Sequence, residues 1–212
     1  MSTKLHTTTY RSQPCGADSI ALHQVVATLL NTVDAKDPLT CNHSRKVAAA
    51  SQQIAIALGL DHQTTELIQI AGHLHDVGKI GLPDAILNKR GGLTSDEWTW
   101  VKKHPEIGEK IVRPVLPITL SGGVADLILS HHVWYNGAGY PAGLQGEDIP
   151  LGARIIAVAD TLSALMEDRP YRQGTSFDQA VKEIQKCSGT QFDPRIVNSI
   201  MGIHGAIAAS VI

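Results

Sequence analysis

Apolar residues recur every three to four positions along almost the whole sequence, and this period constrains the fold more than any other feature. In segment 43–60 the apolar residues that share this spacing are Val47, Ala50, Ile54 and Leu58. Such spacing puts them on one face of an α-helix, whereas a half-buried strand needs strict alternation of apolar and polar residues, which no segment sustains. The sequence therefore predicts an all-α fold, with at most a short hairpin near residues 140–141.

Several helix boundaries are marked by capping signals. The spacing of a capping box, with Ser or Thr three residues before Glu or Gln, occurs in Thr94 with Glu97 and in Ser176 with Gln179. Asp61 is expected to cap the helix that follows it, and Asp193 before Pro194 is expected to cap the last helix. Pro38 predicts the end of the first long helix, and the next helix is expected to begin near His43.

The organisation of the chain predicts one domain preceded by a short tail. Residues 1–18 are polar and are expected to be flexible, whereas residues 19–212 carry the helical pattern without a repeat or a low-complexity linker. A chain of 212 residues buries roughly 70% of its unfolded surface, which is enough for one substantial core. We therefore expect a single helical bundle domain over residues 19–212.

Charge and cysteine content exclude several classes of protein. A net charge of -2, from 18 Lys+Arg and 20 Asp+Glu, gives no broad electrostatic basis for binding duplex nucleic acid or an anionic membrane. The apolar segment 111–129 is interrupted by two prolines and a glycine pair, so no membrane span is expected. An odd number of widely spaced cysteines argues against a disulfide framework and predicts a cytoplasmic location: Cys15, Cys41 and Cys187.

Two carboxylates are expected in the interior of the domain. The pair His75–Asp76 follows a segment with apolar residues at helical spacing, and Asp160 lies in the middle of the apolar helix IIAVADTLSAL. A buried carboxylate is costly unless it is paired, hydrogen-bonded or bound to a metal, and aspartate is also a poor residue for a helix interior. We therefore expect a strong partner for Asp76 and for Asp160.

Three further histidines, His104, His131 and His132, lie at predicted helix ends. The ordinary alternative for any one of them is a core or surface histidine with a simple hydrogen bond, and the same assignment is made for His6, His23, His62 and His204. An adjacent His–His pair, an adjacent His–Asp pair and a buried aspartate together also fit a metal site, and spacing alone leaves both interpretations open. Mixed imidazole and carboxylate ligands without cysteine suit iron, manganese or zinc.

An ordered set of motifs closely resembles the HD-GYP family. The motifs are HS (43–44), HLHDVGKIGLPDAIL (73–87), LT (93–94), KHPEIG (103–108), HHVWYNGAGYP (131–141), GEDIPLGARIIAVADTLSAL (146–165), DRPYR (168–172) and GTQFDP (189–194). Members of that family are α-helical, metal-dependent phosphodiesterases of the HD superfamily, which hydrolyse the bacterial second messenger cyclic di-GMP to linear pGpG or GMP. The resemblance therefore implies an HD-superfamily helical bundle with this activity.

The resemblance also implies two divalent metal ions, with iron or manganese preferred over zinc or another metal. One metal would be held by His43, His75, Asp76 and Asp160, and the other by Asp76, His104, His131 and His132. Two metals in such a site activate a water and clamp the attacking and leaving oxygens of a phosphodiester displacement. Asp76, which would bridge the two metals, is thereby also implied to be a catalytic residue.

Three cations are implied to meet the substrate. Lys79, one turn beyond Asp76, is expected to contact a phosphate oxygen and to stabilise the charge that develops in the transition state. The alternative for Lys79 is a solvated lysine in a turn. By the same resemblance, Arg169 and Arg172 would contact the guanine or phosphate groups of the dianionic cyclic di-GMP, for which the guanidinium fork is suited.

The GAGYP turn is implied to bind the substrate as well. Tyr140 would offer a flat face for a guanine to stack on, a contact worth on the order of 1–3 kcal/mol per base. Gly137 and Gly139 would let the turn adopt positive φ and approach the ligand, and Pro141 would stiffen it. The alternative for Tyr140 is an aromatic residue that packs on its own loop.

The sequence departs from the family pattern at four positions. The turn usually reads HHE-x-x-DG-x-GYP, whereas this chain has Val133 and Asn136 in place of the Glu and the Asp. Ser163 stands where an Asp is common, and a neutral hydroxyl is a poor base for proton transfer. Leu39 stands where some members have a Glu for a third metal, so two metals are expected.

These departures support a second interpretation of different class. The chain would then be a catalytically weak receptor for cyclic di-GMP or a protein-interaction module, with a diguanylate cyclase (a GGDEF protein) as a candidate partner at the GYP turn. A third interpretation keeps the enzyme but changes the substrate to another cyclic dinucleotide or a nucleoside phosphate. Homodimer formation is compatible with each of the three.

Overall fold

The structure is a computed structural model that describes residues 16–36, 38–89, 91–114, 123–168, 173–203, 205 and 207. In this part of the chain the regular structure is helical and no strand occurs, which confirms the predicted all-α class. The hairpin allowed near residues 140–141 is not formed, and the β-type contact that does occur is an isolated bridge between Ser188 and Phe192. Residues 1–15 of the predicted flexible tail lie outside the described residues, so that domain boundary stays a prediction.

The helices of the described chain are joined by connections of different lengths, and the longest of these, 131–150, carries the GYP turn. In chain order they are α1 Gly16–Lys36, α2 Pro38–Ala57, α3 His62–Leu74, α4 Asp84–Leu87, α5 Ser95–Val101, α6 His104–Val112, α7 Val124–Ser130, α8 Leu151–Met166, α9 Phe177–Lys186 and α10 Pro194–Gly202. Two short 3-10 turns lie after α3 and before α8, at Val77–Gly81 and Gly146–Asp148. Among these described helices, none combines the length and the apolar character that crossing a bilayer requires.

The predicted caps are present. Thr94 accepts a hydrogen bond from the Glu97 N–H, and the Glu97 carboxylate accepts one from the Thr94 N–H at 2.7 Å. Ser176 and Gln179 form the same reciprocal pair at the start of α9. Side-chain caps from Asp61 and Asp193 begin α3 and α10.

One predicted boundary is wrong. The second helix begins at Pro38 and not near His43. Proline ends a preceding helix, but its fixed φ also suits the first position of a new one, so the same residue serves as both signals. His43 consequently lies inside α2, where the helix determines the direction of its side chain.

Helix α8 is the centre of the bundle. It packs against α2, α3, α7, α9 and α10, and half of its residues are buried while the other half are partly buried. Helix α2 packs along α3, and α6 lies against α7 and the 3-10 turn Val77–Gly81. As a result the end of α3, the start of α6, the end of α7 and the middle of α8 meet in one region, where the predicted site residues lie.

Candidate metal centre

Seven side chains that the sequence singles out as metal ligands meet in this region. They are His43 of α2, His75 and Asp76 after α3, His104 at the start of α6, His131 and His132 after α7, and Asp160 of α8. The histidines form a chain of ring contacts, with neighbouring centroids 4.0 to 5.6 Å apart. Of the two carboxylates predicted to lie in the interior, Asp76 is only 5% exposed, which confirms the prediction, and Asp160 is partly buried, with 20% of its side chain exposed.

The ligand atoms fall into two clusters with Asp76 between them. Within each cluster all ligand atoms lie within 4.8 Å of one another: His104, His131 and His132 in one, and His43, His75 and Asp160 in the other. Asp76 Oδ1 lies 3.3 Å from His104 Nε2, and Asp76 Oδ2 lies 3.3 Å from His75 Nε2. One carboxylate oxygen therefore faces each cluster, which is the arrangement that a bridging ligand requires.

Backbone carbonyl groups set the orientation of three imidazole rings. In His75, His104 and His131, Nδ1 lies 2.6 to 2.8 Å from the carbonyl oxygen of the residue three positions earlier. A carbonyl oxygen only accepts hydrogen bonds, so each Nδ1 must carry the proton, and Nε2 of the neutral ring then offers a lone pair. Three lone pairs therefore point into the same region.

These lone pairs face other acceptors and not donors. Nε2 of His104 lies 3.3 Å from Nε2 of His131. Nε2 of His75 is buried and makes no hydrogen bond, although it lies 3.3 Å from Asp76 Oδ2. Acceptor atoms this close repel one another unless a cation or a proton lies among them. The donor set of imidazole and carboxylate groups fits divalent iron, manganese or zinc.

Burial favours the uncharged form of the histidines in one cluster. It lowers the pKa of His104, lowers that of His131 well below its ordinary value, and lowers that of His132 to about 4. These rings are therefore neutral near pH 7. Neutral imidazole is the form that ligates a metal, so the cluster needs no deprotonation before it binds one.

Lys79 lies against the centre. Its Nζ is 2.7 Å from Asp76 Oδ2, and its side chain is 25% exposed. Burial alone would raise the pKa of the Asp76 carboxyl, but the positive charge of Lys79 holds it well below its ordinary value. Asp76 is therefore ionised. Lys79 forms an ion pair with it and is only partly exposed, unlike the solvated lysine of the alternative interpretation.

The sequence analysis missed Glu167, which extends the cluster around His43. His43 Nε2 lies 2.9 Å from Asp160 Oδ1, and His43 Nδ1 lies 3.3 Å from Glu167 Oε1. Burial alone would lower the pKa of His43, but the two carboxylates raise it to about 10. A carboxylate on the distal nitrogen of a ligating histidine orients the ring and increases its basicity. Glu167 directly follows α8, about two helical turns beyond Asp160, but this spacing alone does not show that both carboxylates reach His43.

Tyr140 borders the same centre. Its ring centroid lies 4.8 Å from that of His132, and Lys102 Nζ lies over the ring at 5.8 Å from the centroid. Burial, together with the charges of Asp76 and Asp160, raises the pKa of the Tyr140 phenol. The phenol is therefore protonated at neutral pH and can donate a hydrogen bond.

The two glycines of the turn have different functions. Gly137 has a φ of +82°, as predicted, but Gly139 does not adopt a positive φ, so that part of the prediction is wrong. A Cβ on Gly139 would lie 2.2 Å from the His132 carbonyl oxygen and 2.5 Å from the Trp134 nitrogen. Gly139 thus permits close backbone packing, and the Tyr140 N–H closes the turn by donating to the His132 carbonyl at 3.0 Å.

Segment 187–193 supports the turn from the opposite side. Backbone N–H groups of the turn donate to carbonyl oxygens of this segment, from Tyr135 to Gln191 at 3.1 Å and from Asn136 to Thr190 at 2.9 Å. Arg154 of α8 holds the segment through a buried ion pair, with Nη1 2.5 Å from Asp193 Oδ2. The sequence analysis identified Asp193 only as a helix cap and missed Arg154.

The residues that depart from the family pattern lie in different surroundings. Val133 is buried and lines a cavity of about 80 Å³ beside His132 and Asp160. Asn136 Oδ1 accepts a hydrogen bond from the Ala138 N–H at 3.0 Å, which an Asp would also do. Ser163 is fully buried, and its Oγ has no hydrogen-bond partner among the described residues. The side chain of Leu39, and Arg169 with Arg172, lie outside the described residues.

Comparison with known proteins gives the family. A family model described as HD domain matches residues 27–196. The "Cyclic di-GMP phosphodiesterase response regulator RpfG" of Xanthomonas campestris pv. campestris is 37% identical over 178 residues, which cover 84% of this chain and 47% of that protein. The "3'3'-cGAMP-specific phosphodiesterase 2" of Vibrio cholerae is 34% identical over 182 residues, which cover 84% of this chain and 34% of that protein.

A solved structure has the same fold. The crystal structure of a cyclic GMP-AMP specific phosphodiesterase of V. cholerae, V-cGAP3, matches with a TM-score of 0.69 and 19% identity, covering 90% of this chain and 50% of that one. The family match spans most of the sequence, and the chain belongs to the HD domain family. The predicted HD-superfamily fold is thereby confirmed. This chain spans half or less of the length of these three proteins.

Proposed function

We propose that the chain is a metal-dependent phosphodiesterase that hydrolyses cyclic di-GMP to pGpG, GMP or both. The observation that carries this proposal is the pair of ligand clusters with one Asp76 oxygen directed to each. The substrate class comes from the relatives, whose names assign them to cyclic dinucleotides.

The proposed centre holds two divalent metal ions, iron or manganese, at the two clusters. The ligands would be His43, His75, Asp76 and Asp160 for one metal, and Asp76, His104, His131 and His132 for the other. When bound, two such metals activate a water and stabilise the oxygens of an in-line phosphodiester displacement. The orientation of three imidazoles by the backbone carbonyl three residues earlier supports this assignment, because the rings are held in place before any ligand arrives.

Residues around the centre position the substrate. Lys79, close to Asp76, is within reach of a non-bridging phosphate oxygen and would offset the charge that develops there. The Tyr140 phenol is protonated and can donate a hydrogen bond to a ligand, and its ring offers a face for a purine. Arg169 and Arg172 would add contacts to the guanine or phosphate groups.

A second candidate function is hydrolysis of 3'3'-cGAMP or another cyclic dinucleotide. It is favoured by the V. cholerae relative and by Val133, an apolar residue that lines the cavity beside the centre. A catalytically weak receptor is the third candidate, for which Val133 and Ser163 are the support. Contact of a diguanylate cyclase (GGDEF protein) with the GYP turn, homodimer formation and a cytoplasmic location stay predictions.

The proposal is tested by metal counting and product analysis together. The protein is loaded with iron or manganese under reducing conditions, and cyclic di-GMP and 3'3'-cGAMP are followed by chromatography. We expect two metals per chain and a higher kcat/KM for cyclic di-GMP. A higher value for 3'3'-cGAMP would favour the second candidate, and tight binding without turnover in fully loaded protein would reject the enzyme.

Glu167→Gln is expected to weaken metal affinity by about ten- to a hundredfold, because it removes the charge beside His43 Nδ1 while keeping the shape of the side chain. The affinity is measured by titration of manganese against a competing chelator. Glu106→Gln, at an exposed position of α6, is the control and should bind as the unmodified protein does. Equal affinities in the two variants would remove Glu167 from the centre.

A further inference from the structure

Two adjacent lysines between α5 and α6 lie over different aromatic rings. Lys103 Nζ lies 4.2 Å from the centroid of Trp100, whereas Lys102 Nζ lies 5.8 Å from the centroid of Tyr140. Both side chains are exposed, and neither forms a salt bridge with a residue that the structure describes. A cation attracts an aromatic ring out to about 6 Å, so Lys103 is held closely and Lys102 only at the limit of that interaction.

Lys102 lies next to the candidate metal centre. It lies two residues before His104, which is buried in one ligand cluster. Its ammonium lies over Tyr140, and the Tyr140 ring in turn packs on His132 of the same cluster. Lys102 therefore brings a positive charge to the ring that borders the metal centre.

A base that stacks on this face of Tyr140 would take the place of the ammonium, which could then move to the edge of the base. Guanine presents two acceptors there, O6 and N7, and a lysine contact to them is a common means of recognising guanine. Adenine presents N7 beside an N6 amino group, which is a donor and repels an ammonium. The contact between the Lys102 ammonium and the Tyr140 ring is long, so breaking it costs little free energy. The ammonium can therefore leave the ring and bind the edge of the base.

We propose that Lys102 selects guanine at the Tyr140 face of the site. This inference rests on the proposed function, since it takes the substrate to be a purine cyclic dinucleotide. Lys102 is a specificity-determining residue in this role and takes no part in the chemical step. Its contribution is expected in KM for guanine-containing substrates and not in kcat.

The test compares Lys102→Met, Lys102→Arg and the matched control Lys103→Met in metal-loaded protein. KM and kcat are measured for cyclic di-GMP and cyclic di-AMP, together with hydrolysis of bis(p-nitrophenyl) phosphate, which has no base. For Lys102→Met we expect KM for cyclic di-GMP to rise about tenfold, with kcat unchanged. KM for cyclic di-AMP and hydrolysis of the chromogenic ester should stay within about twofold, and Lys102→Arg should restore the guanine preference.

Two outcomes would overturn the inference. One is an equal loss for both cyclic dinucleotides, which indicates a general attraction to the phosphates. The other is an equal effect of Lys102→Met and Lys103→Met. If the unmodified protein does not turn over cyclic di-GMP, the proposed function is rejected but the inference on Lys102 is not. The affinities of the variants for the two cyclic dinucleotides, measured by equilibrium binding, then test whether Lys102 selects guanine. Thermal unfolding of each variant shows whether the fold is retained, as expected for exposed positions.

Discussion

Asp76→Asn is expected to reduce cyclic di-GMP hydrolysis by at least about a thousandfold and to leave the protein without its full complement of metal. In the structure one Asp76 oxygen faces each ligand cluster. An amide keeps an oxygen for one cluster but presents an NH2 group to the other, and that group has no lone pair for a metal. Metal content by mass spectrometry and kcat for cyclic di-GMP are measured on the same preparation.

Asp96→Asn is the matched control for this result. Asp96 is an exposed aspartate in the first turn of α5, so the same chemical change there should leave metal content and kcat unchanged. Asp76→Asn protein that retained two metals and normal kcat would show that Asp76 does not bridge the clusters.

Arg154→Met is expected to lower the free energy of unfolding by about 3–5 kcal/mol. The substitution leaves the Asp193 carboxylate, which is 2% exposed, without its charged partner. It also removes the hydrogen bond from Arg154 Nε to the Ile149 carbonyl oxygen at 2.9 Å. Urea unfolding in the presence of a chelator measures the loss without a contribution from bound metal.

The exposed ion pair of Lys186 with Glu183 provides the comparison. Their side chains are 67% and 53% exposed, and Lys186→Met should change the free energy of unfolding by less than about 1 kcal/mol. Similar losses in the two variants would mean that the Arg154–Asp193 pair has no special structural importance. A specific loss would link the support of the GYP turn to the stability of the whole domain.

Local signals in the sequence predict the helical class and the starts of α3, α5, α9 and α10. The capping box of Thr94 and Glu97 acts within a single turn, so adjacent residues are sufficient to recognise it. Pro38 is the exception, because one residue marks both a helix end and a helix start. The Tyr140 turn also could not be fully predicted from neighbouring residues. Gly139 is required because the His132 carbonyl lies too close for a side chain, and not because φ is positive.

The candidate ligands were predictable as a set, but their geometry was not. That the two oxygens of Asp76 face different clusters depends on how α3, α6 and α7 pack, and no spacing in the sequence contains this. Glu167 and Arg154 were missed for a related reason. Their partners lie 124 and 39 residues away in the chain, and such pairings become visible only in the folded molecule.

The distribution of the candidate ligands over α2, α3, α6, α7 and α8 links occupancy to folding. Local opening of any one of these helices would remove a ligand, so bound metal would oppose such opening and stabilise the native fold. Free metal at a hundred times its dissociation constant would then add about 2.7 kcal/mol to the free energy of unfolding. Metal supply would set how long this domain survives in its folded form as well as how fast it works.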